Sequence, residues 1–520
     1  AASDVYKRQD LISAILRAPV DLLWNGGIGT YVRATSETDA QVGDRANDPV
    51  RVTAKEVRAK AAGEGGNLGW TQAGRIEYAR NGGRINTDFI DNSAGVDTSD
   101  HEVNIKILLD AEVAAGRISE QERDELLPAM ADDVASLVLR HNHSQNLALA
   151  NALSSDGPTA GVLEAWMCEL EESGHLDRAV DTMPSTTEMN RRMAAGERLA
   201  SPELCTLLAW TKIALCDAVL ATDLPEDPFV ADRLVGYFPP LLRERFAERM
   251  PTHRLHREII TTEAVNRFVD SQGITAYYRL HLQTGADIAQ VIRCQLAARS
   301  VFGLGRVETD LTHLGLDAVR TAKIRLALTD LAMHATRWFL NHGGADDIAG
   351  TIETYRPGVA TLVEKLSERL LGDSADAWQE KVDEVTELGL DRSDAAVVAA
   401  YDWSPVLLSI VEISEEGHPL DEVADAYLTL ARRVDMIRLT RLVEQLPQDR
   451  PTDARVRASL REDLLRVMSD ATRRALVIGT DNVLADGGRI VKSIAANPDL
   501  AHCVVMVSDL RSAVGQEVTL

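Results

Sequence analysis

Two patterns of apolar and polar positions divide the chain near residue 100. Before that point, apolar runs at 20–24 and 57–62 each end in a glycine-rich stretch, at 25–29 and 63–69 respectively. Short apolar runs that stop at tight turns predict buried strands. Beyond residue 100 the glycines become sparse, and apolar residues recur at helical spacing to about residue 476. The second pattern predicts a long series of helices.

The segment before residue 100 also follows the element order of a parallel sheet. Thr71 is placed to cap a helix that runs to Arg80, and residues 84–90 form a third short strand or extended segment. Strand, glycine loop, helix and strand is the order found in parallel sheets, where the loops lie at the strand ends. The sequence therefore predicts α/β structure first and mainly α structure afterwards.

Composition limits the partners of the chain. There are 55 Lys and Arg residues against 80 Asp and Glu residues, so the net charge is −25. This acidity argues against nucleic acid and anionic lipid, both of which bind basic patches. No apolar run is expected to reach the roughly 18 to 20 residues of a membrane span, so no membrane partner is predicted. Five separated cysteines without a C-x-x-C pair favour a reducing, cytoplasmic location over a disulfide framework or zinc site.

Two glycine-rich stretches and one polar segment could carry chemistry. Residues 63–69 follow the dinucleotide-binding pattern only loosely, as G-x-G-x-x-x-G, and the simpler interpretation is a strand-to-helix connection whose glycines tolerate positive φ. The stretch at 25–29 matches less well, since Val32 stands where a third glycine would allow close packing. Residues 91–102 could orient a polar ligand, or form a turn followed by a helix that Ser99 or Asp100 caps.

A metal site is not expected. His141 and His143 could offer two ligands, but no third ligand is near them in the sequence. They follow a predicted helix over 118–139, so a role at the C-terminal end of that helix is the simpler interpretation.

Several long motifs resemble one protein family. The segments are DLLWNGGIGTYV, VGDRAND, GEGGNLGWTQAGRIEYARNGGRINTDFIDNSAGVDTSDHEVNIKILL, SPELCTLLAWTKIAL, DLPEDP, YFPPLLRERF and HRLHREIITTEAVNR. In this order they look like the NAD-specific glutamate dehydrogenases of the large bacterial class. The resemblance covers residues 10 to 480, and its later motifs are similar to the helical C-terminal region of that class.

The resemblance implies a cofactor site in the glycine-rich stretches. Residues 64–67 are similar to the family's glutamate-glycine-small-asparagine loop, which lies at the nicotinamide end of NAD. This places Gly65 and Gly66 in that loop and Asn67 near the nicotinamide ribose or amide. Asn25, Gly26 and Gly27 resemble a turn that passes under the cofactor.

A second loop of the smaller family members, N-A-G-G-V-x-x-S, is matched by Asn92, Gly95, Val96 and Ser99. The match is imperfect, because Ser93 and Ala94 stand where the family has alanine and glycine. The resemblance implies that Asn92 binds the carboxamide of the cofactor and that Ser99 binds the side-chain carboxylate of the substrate.

The implied reaction is hydride transfer from Cα of L-glutamate to NAD, followed by hydrolysis of the imine to 2-oxoglutarate and ammonium. Such chemistry needs a lysine of lowered pKa. The chain has nine lysines, and none lies in a glycine-rich loop. The resemblance places the catalytic residues upstream of this chain, so no catalytic residue is assigned within it.

The expected fold is α/β plus mainly α, a partial Rossmann-like nucleotide-binding domain followed by a long helical C-terminal region. The expected division of the chain is a scar or artefact at 1–9, the second half of the NAD-binding domain at 10–109, the helical region at 110–480 and a small patch or tail at 481–520. The expected function is NAD-dependent deamination of glutamate, as the C-terminal part of a larger, homo-oligomeric enzyme. The alternative is a helical regulatory or assembly module without catalysis of its own.

Overall fold

The computed structural model describes residues 2–154, 159–446, 451–485 and 499–515. Helices contain 73% of the residues and strands 3%. The long helical region expected from the apolar spacing is therefore confirmed. The chain divides into two compact units, Ala1–Ile274 and Thr275–Leu520.

The first unit combines short strands with helices of very different lengths. Its described strands are β1 (Leu22–Asn25), β2 (Val32–Arg33), β3 (Val52–Thr53) and β4 (Ala61–Glu64). Its described α-helices are α1 (Ala2–Leu16), α2 (Asp39–Val42), α3 (Gln72–Arg80), α4 (Asp88–Asp91), α5 (Ser93–Ala114), α6 (Glu120–Ala129), α7 (Ala131–Leu153), α8 (Ala160–Glu172), α9 (Thr186–Ala194), α10 (Ser201–Leu220), α11 (Pro228–Ala231), α12 (Arg233–Tyr237), α13 (Pro240–Phe246) and α14 (His256–Gln272). Single 3-10 turns occur at Ala54–Glu56, Leu224–Glu226 and Ala247–Thr252.

The strands form two small parallel pairs. β1 pairs with β4 over four residues, from Leu22 opposite Ala61 to Asn25 opposite Glu64. β2 pairs with β3 over two residues. Apolar side chains between them form a small core, in which Tyr78 also donates a 2.6 Å hydrogen bond to the carbonyl of Ala59. The buried members of this core are Val32, Val52, Ala54, Val57, Ala59, Ala62, Trp70, Tyr78 and Ile85.

The expected Rossmann-like domain is not evident in the described residues, so this part of the fold prediction is wrong. The segment at 84–90 contributes only a single parallel bridge, between Arg84 and Ala61. Its chain then turns into α4, for which Thr87 is the N-cap residue. Two- to four-residue strands and one bridge do not extend into the broad parallel sheet that defines that fold.

Two later helices hold the segment between β4 and α5 in place. The side-chain amide of Asn142, in α7, donates 2.8 Å hydrogen bonds to the carbonyl of Ile90 and to Ser93 Oγ. At the start of α10, Ser201 Oγ donates to Asn86 Oδ1 at 2.8 Å. These hydrogen bonds position the segment that leads into α5. The residues they join are separated by between 49 and 115 positions in the sequence.

The described part of the second unit is helical. Its α-helices are α15 (Ala276–Thr284), α16 (Ile288–Val301), α17 (Leu304–His313), α18 (Ala318–Asn341), α19 (Ile348–Arg369), α20 (Asp373–Glu387), α21 (Arg392–Ala399), α22 (Ser404–Ser414), α23 (Leu420–Arg433), α24 (Met436–Glu444), α25 (Pro451–Ile478) and α26 (Leu500–Gly515). Short 3-10 turns lie at Ala400–Trp403 and Thr480–Asn482. Trp338 is buried in α18, and its indole donates a 3.0 Å hydrogen bond to Ser409 Oγ in α22.

One segment of this unit is more apolar than the sequence analysis expected. Arg392–Ser414, which runs from α21 to α22, is long and apolar enough to cross a membrane by length and composition. In the structure 61% of its most apolar 18-residue window is buried. Because a core helix passes the same test, this segment is weak evidence for a membrane span.

Candidate functional site

Both glycine-rich stretches begin at the same edge of one strand pair. Asn25 ends β1 and Glu64 ends β4, and the two residues are partners in the parallel register. The amide of Gly65 donates a 2.8 Å hydrogen bond to the carbonyl of Asn25, which continues the pairing into the loops. Loops at the carboxyl ends of parallel strands are the usual place for a ligand.

The two loops approach so closely that glycine is required. A Cβ atom at Gly66 would lie 2.7 Å from the carbonyl oxygen of Gly27. A Cβ atom at Gly65 would lie 2.9 Å from Nε1 of Trp24. Gly26 and Gly27 are exposed, and the amide of Gly27 lies 3.4 Å from the Asn25 side-chain oxygen that accepts it. The sequence pattern identified these positions, and the structure shows that they form one close backbone contact.

Asn67 and Asn92, which the resemblance assigns to the cofactor, lie within hydrogen-bond distance. The side-chain amide of Asn92 donates to Asn67 Oδ1 at 3.3 Å. Asn67 belongs to the exposed loop after β4, whereas Asn92 is the N-cap residue of α5. The structure therefore brings together two loops that are 25 residues apart in the chain.

Ser99 lies inside α5 rather than in a loop or at a helix cap. Because α5 begins at Ser93, neither Ser99 nor Asp100 caps it. Ser99 is exposed and follows Asn92 by seven residues. Seven residues make two helical turns, so the two positions share a face and lie about 10 Å apart along the axis.

A buried ion network supports the loop after β4. Arg75, in α3, donates from Nε to Glu64 Oε2 at 2.7 Å and from Nη2 to Glu64 Oε1 at 3.0 Å. The same guanidinium lies 3.1 Å from Asp88 Oδ1. Glu64 is fully buried, and this burial raises the pKa of its carboxyl while Arg75 opposes the rise. The network holds a carboxylate at the strand end that leads into the glycines.

The carboxylates of α4 bind the backbone of the same loop. Asp91 accepts a 3.1 Å hydrogen bond from the amide of Glu64, and Asp88 accepts a 2.7 Å hydrogen bond from the amide of Leu68. Leu68 has a φ of 58°, a left-handed conformation that the Asp88 bond helps to maintain. Burial raises the pKa of the Asp91 carboxyl.

Sequence reasoning missed the supporting roles of Arg75, Asp88 and Asp91. One signal for Arg75 exists in the sequence, since it lies three residues before Tyr78 on the buried face of α3. Nothing in the sequence alone indicates which carboxylate it meets.

The polar atoms of this edge fit a ligand that offers hydrogen-bond acceptors. The Asn25 side-chain nitrogen is buried and lacks a hydrogen-bond partner among the described residues. Buried donors are normally paired, so a donor of this kind at a glycine-lined edge suits an added acceptor. The close backbone approach at Gly66 likewise leaves a surface on which a flat or phosphate-bearing group can lie.

A different group of residues could hold a metal ion. Asp97, His101 and His141 each offer a ligand atom, and these atoms lie within 4.8 Å of one another. His101 is fully buried, and neither of its ring nitrogens has a hydrogen-bond partner in the described part of the chain. Two imidazoles and one carboxylate are ligands that zinc accepts. The expectation that His141 ends a helix is wrong, because it lies within α7 and faces α5.

Comparison with known families identifies the class of protein. Residues 1–152 match a family model described as "Bacterial NAD-glutamate dehydrogenase, catalytic domain". Residues 196–517, more than half of the chain, match a model described as "Glutamate dehydrogenase, C-terminal". Both descriptions name the glutamate dehydrogenases.

Curated relatives narrow the class further. NAD-specific glutamate dehydrogenases from Mycobacterium tuberculosis and Pseudomonas aeruginosa are 41% and 38% identical to this chain, over 90% and 98% of its length. The enzyme of that name from Halomonas elongata is 37% identical over 92% of the chain. The chain therefore belongs to the bacterial NAD-specific glutamate dehydrogenase family, which confirms the resemblance. It spans about three tenths of the length of these relatives, namely 29%, 32% and 30%.

Proposed function

We propose that this chain is part of an NAD-dependent enzyme that oxidatively deaminates L-glutamate to 2-oxoglutarate and ammonium. The observation that carries the proposal is the hydrogen bond between Asn67 and Asn92, which joins two polar loops beside a close glycine contact. Family membership supports the choice of cofactor and substrate, since the curated relatives are named NAD-specific glutamate dehydrogenases.

The residues of the first unit would bind and orient the reactants. NAD, when bound, accepts the hydride from Cα of glutamate. Asn92 and Asn67 supply side-chain amides at the nicotinamide end, and their mutual hydrogen bond fixes the direction of each amide. Asn25, Gly26, Gly27, Gly65 and Gly66 supply the backbone surface on which the cofactor rests. Ser99 supplies a hydroxyl to the side-chain carboxylate of glutamate, two helical turns from Asn92.

The lysine that handles protons and water is proposed to belong to a part of the complete enzyme outside this chain. Lys60 adjoins β4 and Lys55 lies in the preceding 3-10 turn, but their side chains are 81% and 63% exposed. They face Asp21 and Glu77 respectively. A catalytic lysine needs a lowered pKa, which comes from burial or neighbouring cations.

Replacement of Asn92 tests the cofactor site. In the complete enzyme, Asn92→Ala should raise KM for NAD or lower kcat at least tenfold, because one carboxamide partner is lost and Asn67 loses its orientation. Steady-state kinetics with varied NAD measures both constants. The matched control is Asn81→Ala, which removes an exposed amide at the end of α3. Unchanged kinetics of Asn92→Ala, or an equal loss in the control, would contradict the assignment.

Replacement of Ser99 tests the substrate site separately. Ser99→Ala should raise KM for glutamate more than KM for NAD, because only the substrate carboxylate loses a hydrogen bond. Thr98→Ala changes the exposed neighbour on another helical face and should leave both constants unchanged. An equal effect of Ser99→Ala on glutamate and NAD would count against a role in carboxylate binding.

The cytoplasmic location, the homo-oligomeric state and the domain limits at residues 109 and 480 stay predictions from the sequence. Sedimentation of the purified chain at several concentrations would test self-association, and cell fractionation would test the location.

A further inference from the structure

The second unit contains a large cavity whose wall carries several cationic side chains. Its volume is about 940 Å³, within the range of small-molecule sites. Residues of α18, α20, α23, α24 and α25 line it together with the turn at Ala400–Trp403. We call this space the basic cavity and define it by the lining residues His334, Arg337, Lys381, Arg441 and Arg461.

Arg337 is the most deeply placed cation of the basic cavity. It is 8% exposed, and Nη1 donates a 2.9 Å hydrogen bond to Gln283 Oε1, a neutral partner. Burial holds the pKa of its guanidinium well below the usual value, and the positive charges of Arg461 and Arg279 lower that pKa further. A cation in these surroundings is stabilised by an added negative charge.

Arg461 reaches the same cavity with an unused donor. Its Nε is buried and has no hydrogen-bond partner among the described residues. Its Nη1 lies 3.6 Å from Glu444 Oε1, which is longer than a hydrogen bond. Burial, followed by the charge of Arg457, lowers the pKa of Arg461 to about 10. Arg337 and Arg461 are therefore buried guanidinium groups whose charges the described residues compensate only in part.

The carboxylates of the cavity wall do not complete this compensation. Glu462 accepts a 2.9 Å hydrogen bond from Asn341 and lies 3.3 Å from His342 Nε2. Asp402 lies 3.8 Å from the ammonium of Lys381. The other carboxylates that line the cavity are Asp373, Asp435 and Glu444. In the described part of the chain, none of the five makes a hydrogen bond to the guanidinium of Arg337 or Arg461.

We propose that the basic cavity binds a small polyanion that carries carboxylate or phosphate groups, held by Arg337 and Arg461. A guanidinium offers parallel N–H donors that match both kinds of anion. The wall also contains Trp338, Trp378 and Trp403, which give an apolar surface to the remainder of the ligand. A cavity of this size can hold a small molecule such as a free metabolite. All residues that line the basic cavity belong to the second unit, whereas the residues proposed to bind NAD belong to the first unit.

Direct binding to the 520-residue chain tests the proposal. Isothermal titration calorimetry would use pyrophosphate as a phosphate probe and tricarballylate as a carboxylate probe, with sodium chloride at matched ionic strength as the blank. At least one probe should bind at a single saturable site, and Arg461→Gln should weaken that binding at least tenfold. Arg320→Gln, which changes an exposed arginine of the same unit, should bind like the wild type. Binding of only one probe identifies the chemical class of the ligand.

The proposal is overturned if neither probe binds above the chloride blank, or if Arg461→Gln binds as tightly as the wild type. A second variant guards against loss of folding. In buffer without polyanions, Arg461→Met should unfold at the wild-type temperature or above it, because a buried charge that is only partly compensated is removed. A saturating probe should raise the unfolding temperature of the wild type but not that of Arg461→Met. A lower unfolding temperature of Arg461→Met in anion-free buffer would show that Arg461 is a structural partner of Glu444 and would contradict the proposal.

Discussion

Each unit of the molecule buries arginine side chains, but the surroundings of these arginines differ. In the first unit Arg75 meets Glu64 through two hydrogen bonds and Asp88 through an ion pair. In the second unit the guanidinium of Arg337 bonds to the neutral Gln283, and the other charges that most affect it are arginines. The first arrangement is complete within the chain, whereas the second is the one proposed to accept an anion from outside.

The comparison separates two uses of buried charge. A cation whose carboxylate partners come from the same chain fixes a local structure, here the loop between β4 and α3. A buried cation whose only partner is neutral lowers the stability of the fold unless a ligand supplies the opposite charge. Residues at binding sites often lower stability in this way. Substitutions in the two units should therefore differ in the sign as well as the size of their effects.

The largest effect is expected from the complete network. Arg75→Met leaves Glu64 and Asp88 buried without their cation and should reduce the free energy of unfolding by about 3 to 5 kcal/mol. Urea denaturation of the chain measures the change. Arg80→Met removes a 30% exposed arginine that pairs with Glu197 at the surface, and it should cost less than about 1 kcal/mol. Equal losses in the two variants would show that the buried network stabilises the fold no more than a surface ion pair does.

A buried histidine of the first unit and a half-buried histidine of the second should respond to pH in opposite directions. Burial lowers the pKa of His101 to about 4, and neighbouring His141 and Arg140 act in the same direction against Asp97. The unfolded chain then binds more protons than the folded one between about pH 4 and 6.5, so stability falls as the solution becomes acidic. The contribution is on the order of 3 kcal/mol.

His342 has the opposite sign. Burial alone would lower its pKa, but a hydrogen bond to Glu412 and the nearby carboxylate of Glu462 raise that pKa to about 9. Its stabilisation is complete below about pH 6.5, is lost as the pH rises to 9, and is also on the order of 3 kcal/mol. The free energy of unfolding, measured across pH, should fall less steeply towards acidic pH in His101→Gln than in the wild type. In His342→Gln it should fall less steeply towards alkaline pH. If the two variants shift the pH profile of stability in the same direction, the environments described for His101 and His342 do not set their pKa values.

A smaller effect is expected where the backbone of two loops meets. Gly66→Ala places a methyl group 2.7 Å from the carbonyl oxygen of Gly27, so the loops must separate at a cost of about 1 to 3 kcal/mol. KM for NAD in the complete enzyme should rise with this change. Gly236→Ala is the control, since the residue is in a helix and no atom of the described residues beyond its own helical turn lies within 4 Å of the added Cβ atom. Normal stability and kinetics of Gly66→Ala would show that the close contact is unimportant.

The sequence predicted those parts of the fold that depend on local pattern. The apolar runs at 20–24 and 57–62 include or adjoin β1 and β4, and the helical spacing after residue 100 is confirmed. The strand or extended segment predicted over the whole of 84–90 and the Rossmann-like domain were wrong, because the chain makes a single bridge at Arg84 and enters α4 directly after Thr87. A short segment next to a capping residue has no periodicity that decides between strand and helix.

Contacts between distant residues could not be read from the pattern. The resemblance pointed to Asn67 and Asn92, but their hydrogen bond depends on the way α4 returns the chain to the end of β4. The basic cavity was missed for a similar reason. Arg337 in α18 and Arg461 in α25 are 124 residues apart in the chain. In the sequence each has the pattern of an ordinary charged residue on an amphipathic helix.

The coupling between Asn67 and Asn92 tests the proposed cofactor site most directly. The measurement is kcat/KM for NAD in the complete enzyme with Asn67→Ala, Asn92→Ala and the double variant. If the two amides form one site, the double variant should lose clearly less than the product of the two single losses, with a coupling of about 0.5 to 3 kcal/mol. Full additivity of the two losses, or wild-type kinetics in all three variants, would contradict a joint site for NAD at the ends of β1 and β4.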